Sequence, residues 1–90
     1  MAKRDRLEII RDILEIIRNH KNSIKITPLM RASGISSSGF KEYFFDLKSK
    51  GFLKDFVGPD NKRYITLTDK GFRYLEKYKS IRTLIDDFGL

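Results

Sequence analysis

Ser36, Ser37 and Ser38 stand at the head of a stretch that carries Lys41, Glu42, Phe45 and Lys48 at three- and four-residue steps. On a helix those steps bring the side chains onto one face. Serine hydroxyls and free backbone N–H groups at a helix start suit a phosphate. Lysines reach phosphates or guanine edges, and a glutamate accepts from cytosine or holds a neighbouring lysine in place. An aromatic at position 45 of such a face can meet a thymine methyl, a sugar or another protein. Further along, Lys62 and Arg63 follow the turn cluster Gly58-Pro59-Asp60-Asn61, where two cations suit a sugar-phosphate backbone or a minor groove. Each group also has a plainer reading, since serines cap helices and turn residues are polar by default.

Other chemistries find little to work with. The chain has no cysteine and one histidine, His20, so neither a Ser-His-Asp nor a Cys-His set can be assembled, and cysteine metal sites are excluded. The acids are scattered beside bases, as at Glu8 and Asp12 with Arg11, or Glu76 with Lys77 and Lys79. Asp86 and Asp87 are adjacent but have no further ligand in the neighbouring sequence. Gly34, Gly39, Gly51 and Gly58 do not have the spacing of a phosphate loop. We therefore expect no catalytic residue, no metal and no cofactor.

For the 36–50 stretch to present one face, its other face must be buried, and Phe40, Tyr43, Phe44 and Leu47 form the required apolar stripe. Ser36 or Ser37 serves as the N-cap, and Gly51 closes the helix. Before it, Asp5 to about His20 reads as a helix through Leu7, Ile10, Ile13, Leu14 and Ile17. Ile24 and Ile26, alternating with Lys25, suit a very short strand. Thr27 as N-cap and Pro28 at the first helical position then open a short helix with Leu29, Met30 and Ala32. Gly34 ends that helix, and Ile35 is the apolar anchor of the turn. Phe52 to Val57 and Arg63 to Leu67 are β-type runs that flank the turn. Thr68 caps a last helix with Asp69 in its first turn, where a negative charge suits the helix dipole. The expected order is helix, short strand, helix, helix, strand, turn, strand, helix: mostly α with a small β-hairpin.

The last helix carries a separate pattern. Tyr74, Tyr78, Ile81, Ile85 and Phe88 advance by four, three, four and three residues, the spacing of a helix–helix seam. Such a seam either folds over its own core or pairs with a second copy. An aromatic and isoleucine stripe left bare on a monomer would be a large apolar patch, so we expect a homodimer. Ile9 and Ile16 widen the apolar face of the first helix and are either buried in the domain or join the same interface.

Ninety residues make one domain, with 19 Lys and Arg against 12 Asp and Glu and a formal net charge of +7. That balance favours a polyanionic partner without fixing the fold. Lys3, Arg4 and Arg6 are a candidate basic arm. No apolar run reaches the roughly 18 residues needed to span a bilayer, so we expect no membrane partner and a cytoplasmic protein.

Residues 26–53, ITPLMRASGISSSGFKEYFFDLKSKGFL, followed by residues 62–78, KRYITLTDKGFRYLEKY, resemble the archaeal winged helix-turn-helix regulators. That group includes small basic chromatin-type proteins that dimerise through a C-terminal coiled coil. The most specific part is YITLTDKG at 64–71, a strand running into a threonine-capped helix. The resemblance implies a winged helix-turn-helix DNA-binding domain at 1–68 and a dimerisation helix at 69–90, packed on the same domain. It places Ser37, Ser38, Lys41, Glu42, Phe45 and Lys48 on a helix in the major groove of double-stranded DNA, and Lys62 and Arg63 on a wing at 58–63. It also implies transcription regulation by a nucleoid-associated protein. Two departures are visible. The last helix is shorter than the long coils of the chromatin-type members, and the recognition face is less basic than in a nonspecific binder. The second departure favours a site-specific regulator over an architectural protein. A protein-docking module is the remaining alternative, on Phe45 and the near charge balance of the wing.

Overall fold

A computed structural model describes residues 4–90, so Lys3 of the candidate arm lies outside the described residues. The chain forms helices α1 (Arg6–Asn19), α2 (Ile26–Ser33), α3 (Ser37–Ser49) and α4 (Asp69–Phe88), with strands β1 (Leu53–Val57) and β2 (Arg63–Leu67) between the last two helices.

Each long helix starts where a short polar side chain can take up a free N–H. Asp5 Oδ1 accepts from the Glu8 N–H at 2.8 Å, Ser36 Oγ from the Gly39 N–H at 3.2 Å, and Thr68 Oγ1 from the Gly71 N–H at 3.3 Å. Such caps each stabilise a helix by about 1 kcal/mol. The start of α2 differs from the sequence expectation. Lys25, not Thr27, is the N-cap, and it makes no side-chain cap bond. Ile24 is held by β2, with its N–H donating to the Ile65 carbonyl at 3.2 Å and its carbonyl accepting from the Ile65 N–H at 2.7 Å. The expected short strand is thus this single bridge. The chain leaves it through an extended Lys25, whose carbonyl takes the Leu29 N–H. Winding therefore begins at Ile26, and Pro28 still sits in the first turn, where a missing N–H costs nothing.

β1 and β2 are antiparallel with Leu53 opposite Leu67, Asp55 opposite Ile65 and Val57 opposite Arg63. Because alternate residues share a face, these pairs lie on one face of the hairpin, which is buried at Leu53, Ile65 and Leu67 and exposed at Val57 and Arg63. Leu53, Ile65 and Leu67 join Ile10, Ile13, Leu14, Ile17, Leu29, Phe40, Phe44 and Leu47 in one core. Asn22, in the left-handed region at φ 57°, ties the end of α1 to the hairpin: its Oδ1 accepts from the Leu67 N–H at 2.7 Å.

The start of α4 packs against the hairpin through Gly71, where a Cβ would lie 2.3 Å from the Phe52 carbonyl oxygen. Leu75 is buried one turn later. Tyr74 donates its hydroxyl to the Leu7 carbonyl at 2.8 Å, and the Arg11 guanidinium lies 5.1 Å from the centre of the Tyr78 ring. Past Tyr78 the helix runs on beyond the core, which gives the molecule its elongated outline of 48 × 27 × 21 Å.

Candidate nucleic-acid interface

Phe40, Phe44 and Leu47 hold α3 to the core, and Phe40 stacks on Phe44 with ring centres 5.8 Å apart. The opposite side faces solvent among the described residues. Ser37, Ser38, Lys41, Glu42 and Lys48 are exposed, and Phe45 is 68% exposed, an unusual setting for a phenylalanine. Gly39 lets the first turn close tightly, since a Cβ there would approach Ile35 Cγ2 and Ser36 Oγ to 3.1 Å. The N–H groups of Ser37 and Ser38 belong to the first turn and have no intrahelical acceptor. Among the described residues, neither Lys41 nor Glu42 has an ion-pair partner.

The hairpin turn is closed by its own polar groups. Gly58 N–H donates to the Lys62 carbonyl at 2.8 Å, and Asn61 N–H donates to the Gly58 carbonyl at 3.0 Å with Asn61 at φ 62°. Asp60 accepts from the Lys62 N–H at 3.1 Å and from the Tyr64 hydroxyl at 2.5 Å. The Tyr64 bond holds the Asp60 carboxyl below its ordinary value and pushes the Tyr64 phenol above its own. These contacts leave the Lys62 side chain exposed at the tip.

Arg63 and Lys48 are not isolated cations. Asp55 Oδ2 lies 3.3 Å from Lys48 Nζ and 3.5 Å from an Arg63 Nη, so one carboxylate oxygen joins α3 to the wing. The Lys48 bond, followed by the charges of Lys48 and Arg63, holds the Asp55 carboxyl below its ordinary value against its partial desolvation. Sequence reading counted Asp55 only in the near charge balance of the wing and missed its bond to Lys48. A readable sign was the two-residue step from Leu53 to Asp55, which puts the acid on the face of β1 that carries the buried Leu53.

Two of the arm residues fold back onto the domain. Arg4 donates to Asp12 at 2.8 Å and to the Ser33 carbonyl at 3.1 Å. Arg6 donates to Asp46 at 2.6 Å and lies over the Tyr43 ring. Asp46 also pairs with Lys50 at 3.1 Å; the Lys50 bond is the main cause of its lowered pKa. Arg4 and Arg6 are therefore engaged with the domain's own acceptors.

The seam residues of α4 divide into an inner and an outer group. Tyr74 packs inward, with its ring edge-on to Phe52 at 5.7 Å, and Tyr78 stacks on Tyr74 at 6.3 Å. Ile9 and Ile16 are partly buried against the core. Ile81, Leu84 and Phe88 are 54%, 53% and 72% exposed, and Ile85 is half-buried. Leu84, absent from the sequence-stated seam, thus belongs to the outer apolar group.

A concavity of about 400 Å³ between α1 and α4 is lined by Arg11, Arg18, Lys79 and Arg82 together with Glu15 and Tyr78. Most of its cations are matched locally, Arg11 by Asp12, Arg18 by Glu15 and Arg82 by Asp86. Among the described residues, no cluster of His, Cys, Asp or Glu has a metal-binding arrangement, and no helix is long and apolar enough to cross a membrane.

A family model described as winged helix-turn-helix matches residues 3–86. Two solved structures are similar to the chain. The DNA-binding protein Sso10a-2 from Sulfolobus solfataricus superimposes with a TM-score of 0.72 at 24% identity, covering 94% of this chain and 85% of that one. The PcaV transcriptional regulator from Streptomyces coelicolor gives a TM-score of 0.73 at 17% identity, covering 89% of this chain and 60% of that one. At these identities the likeness is one of fold. No curated protein sequence matches significantly.

Proposed function

The chain belongs to the winged helix-turn-helix family, and we propose that it is a homodimeric, sequence-reading DNA-binding protein that regulates transcription. The observation that carries this reading is the free face of α3. Ser37, Ser38, Lys41, Glu42 and Phe45 are all exposed beside a hairpin that carries Lys62 and Arg63. In this reading α3 enters the major groove, with the serine-headed first turn on a phosphate and Lys41, Glu42 and Phe45 on base edges. The wing at 58–63 lies along the backbone or the minor groove. Residues 1–68 carry the DNA contacts. Residues 69–90 bring two copies together through Ile81, Leu84, Ile85 and Phe88, with Tyr74, Tyr78, Ile9 and Ile16 supporting α4 from the domain side.

The free cations on the DNA side favour sequence reading over a general grip on DNA. Lys48 and Arg63 share one carboxylate, and among the described residues Lys41 on α3 and Lys62 at the wing tip have no ion-pair partner. Anisotropy titrations on random and selected duplexes test this. A regulator prefers some sequence by at least ~10³ at physiological salt, and Lys41→Ala weakens binding and lowers the salt slope by about one. A flat sequence profile would make the protein architectural. The 68% exposure of Phe45 favours one second reading, a protein-docking module. Absence of duplex binding at low salt would put that reading first.

A further inference from the structure

We infer that Asp55 is a restraint on DNA binding, a carboxylate that withholds Lys48 and Arg63 from phosphates and so sharpens the preference for the right sequence. The inference rests on the proposal that α3 and the wing meet DNA. Asp55 is opposite Ile65 in the hairpin register, and Arg63 is opposite Val57 on the same face. This face of β1 and β2 turns toward the end of α3, where Lys48 stands. A single oxygen, Asp55 Oδ2, serves both cations at 3.3 and 3.5 Å. The Asp55 side chain is 24% exposed, against 42% for Lys48 and 73% for Arg63, so the acid lies behind the two cations that any phosphate would approach.

Two consequences follow. A phosphate contact by Lys48 or Arg63 must be made in competition with Asp55, and the released carboxylate then faces the phosphate backbone. Nonspecific binding draws nearly all its energy from phosphate contacts and so depends on both released cations, whereas a complex seated on the base contacts of Lys41, Glu42 and Phe45 can leave their pairing with Asp55 in place. The cost therefore falls on the nonspecific mode and widens the difference between the two. Ion pairs this exposed contribute little to folding, so the effect of the acid falls on binding. The competing account is that Asp55 staples the wing to α3. It predicts the opposite sign, because loosening the wing would weaken DNA binding.

The test is Asp55→Asn, with Asp55→Ser as a second variant, titrated against random and best-sequence duplexes over a range of salt. Folding is checked by circular dichroism. The expected result is random-duplex binding tighter by on the order of tenfold, with a salt slope steeper by about one, and a narrower ratio between best and random sequences. The gain must vanish when Asp55→Asn is placed in a Lys48→Ala, Arg63→Ala background, since both groups it releases are then gone. Unchanged or weaker binding by folded Asp55→Asn overturns the inference while leaving the DNA reading intact. A gain that persists in the double-alanine background reduces Asp55 to a general charge and also overturns it. If the wild type binds no duplex, the DNA reading fails and this inference fails with it.

Discussion

Replacing Gly71 with alanine sets two opposed effects against each other. Gly71 lies in the first turn of α4, where alanine is a better helix former by about 1 kcal/mol. The added Cβ, however, would lie 2.3 Å from the Phe52 carbonyl oxygen, and it would also meet Leu67 Cδ2 at 3.3 Å. A carbon and a carbonyl oxygen settle at roughly 3.3 Å or more, so α4 and the hairpin must separate by roughly 1 Å. The same carbonyl accepts the Thr68 N–H at 3.2 Å, and separation weakens that bond as well. Overpacking costs about 1–3 kcal/mol and the weakened bond about 1, which leaves a net loss of about 1–3 kcal/mol after the gain in propensity. For a domain of this size that is roughly 5–20 °C in Tm. Gly51→Ala is the useful comparison: nothing lies within 4 Å of its Cβ, but its φ is +80°, so its cost of about 1–2 kcal/mol is conformational. Thermal melts followed by circular dichroism read both, and Gly51→Asn should recover part of the Gly51→Ala loss while Gly71→Ser recovers none. A Gly71→Ala protein that melts at or above the wild-type temperature would refute the packing of α4 on the hairpin.

Asn22→Ala removes the acceptor of the Leu67 N–H and puts alanine at a positive φ. Urea denaturation should show a loss of about 2 kcal/mol, and a change within about 0.5 kcal/mol would count against the tie between α1 and the hairpin. Ile81→Lys should convert the protein to a monomer at tens of micromolar in sedimentation equilibrium and leave that monomer folded by circular dichroism, because Ile81 is exposed in the single chain, with Tm lowered only by the lost association; a dimer that survives it would rule out the outer half of α4 as the interface. The lowered pKa values of Asp46, Asp55 and Asp60 mean that their stabilising contribution, small because water screens these exposed groups, is present above the unfolded carboxylate value of about 3.9 and is lost as pH falls through the lower folded values. Stability should therefore be level from pH 7 to about 5 and decline below about 4, which acid-range urea melts would show. The raised Tyr64 phenol acts with the reverse sign, and its contribution is lost as pH rises through its folded value, above about 10.

Features set by neighbours along the chain were legible in the sequence. The caps at Ser36 and Thr68, the buried stripe of α3 and the hairpin around Gly58–Lys62 all depend on residues within a turn or two of each other. Phe45 was readable as exposed because helical periodicity alone puts it opposite Phe40, Phe44 and Leu47. Contacts between distant segments were not legible. The start of α2 is set by the bridge from Ile24 to Ile65, across forty residues of chain, so a good local N-cap at Thr27 was overruled. The Lys48–Asp55–Arg63 bridge needs the hairpin register and the position of α3 together. Tyr74 has seam spacing, yet its hydroxyl finds the Leu7 carbonyl and its ring finds Phe52, a choice that spacing cannot express. Arg4 and Arg6 read as an arm because their acceptors, Asp12, Ser33 and Asp46, come together only in the fold.

The central claim is that α3 and the wing form one DNA-binding surface. Titrating duplex DNA into the isotope-labelled protein and following every backbone amide by NMR tests it most directly. The account predicts shifts concentrated at Ser37 to Lys48 and at Gly58 to Arg63, with Ile81 to Phe88 unaffected. Shifts confined to α4, or none at low salt, would contradict it.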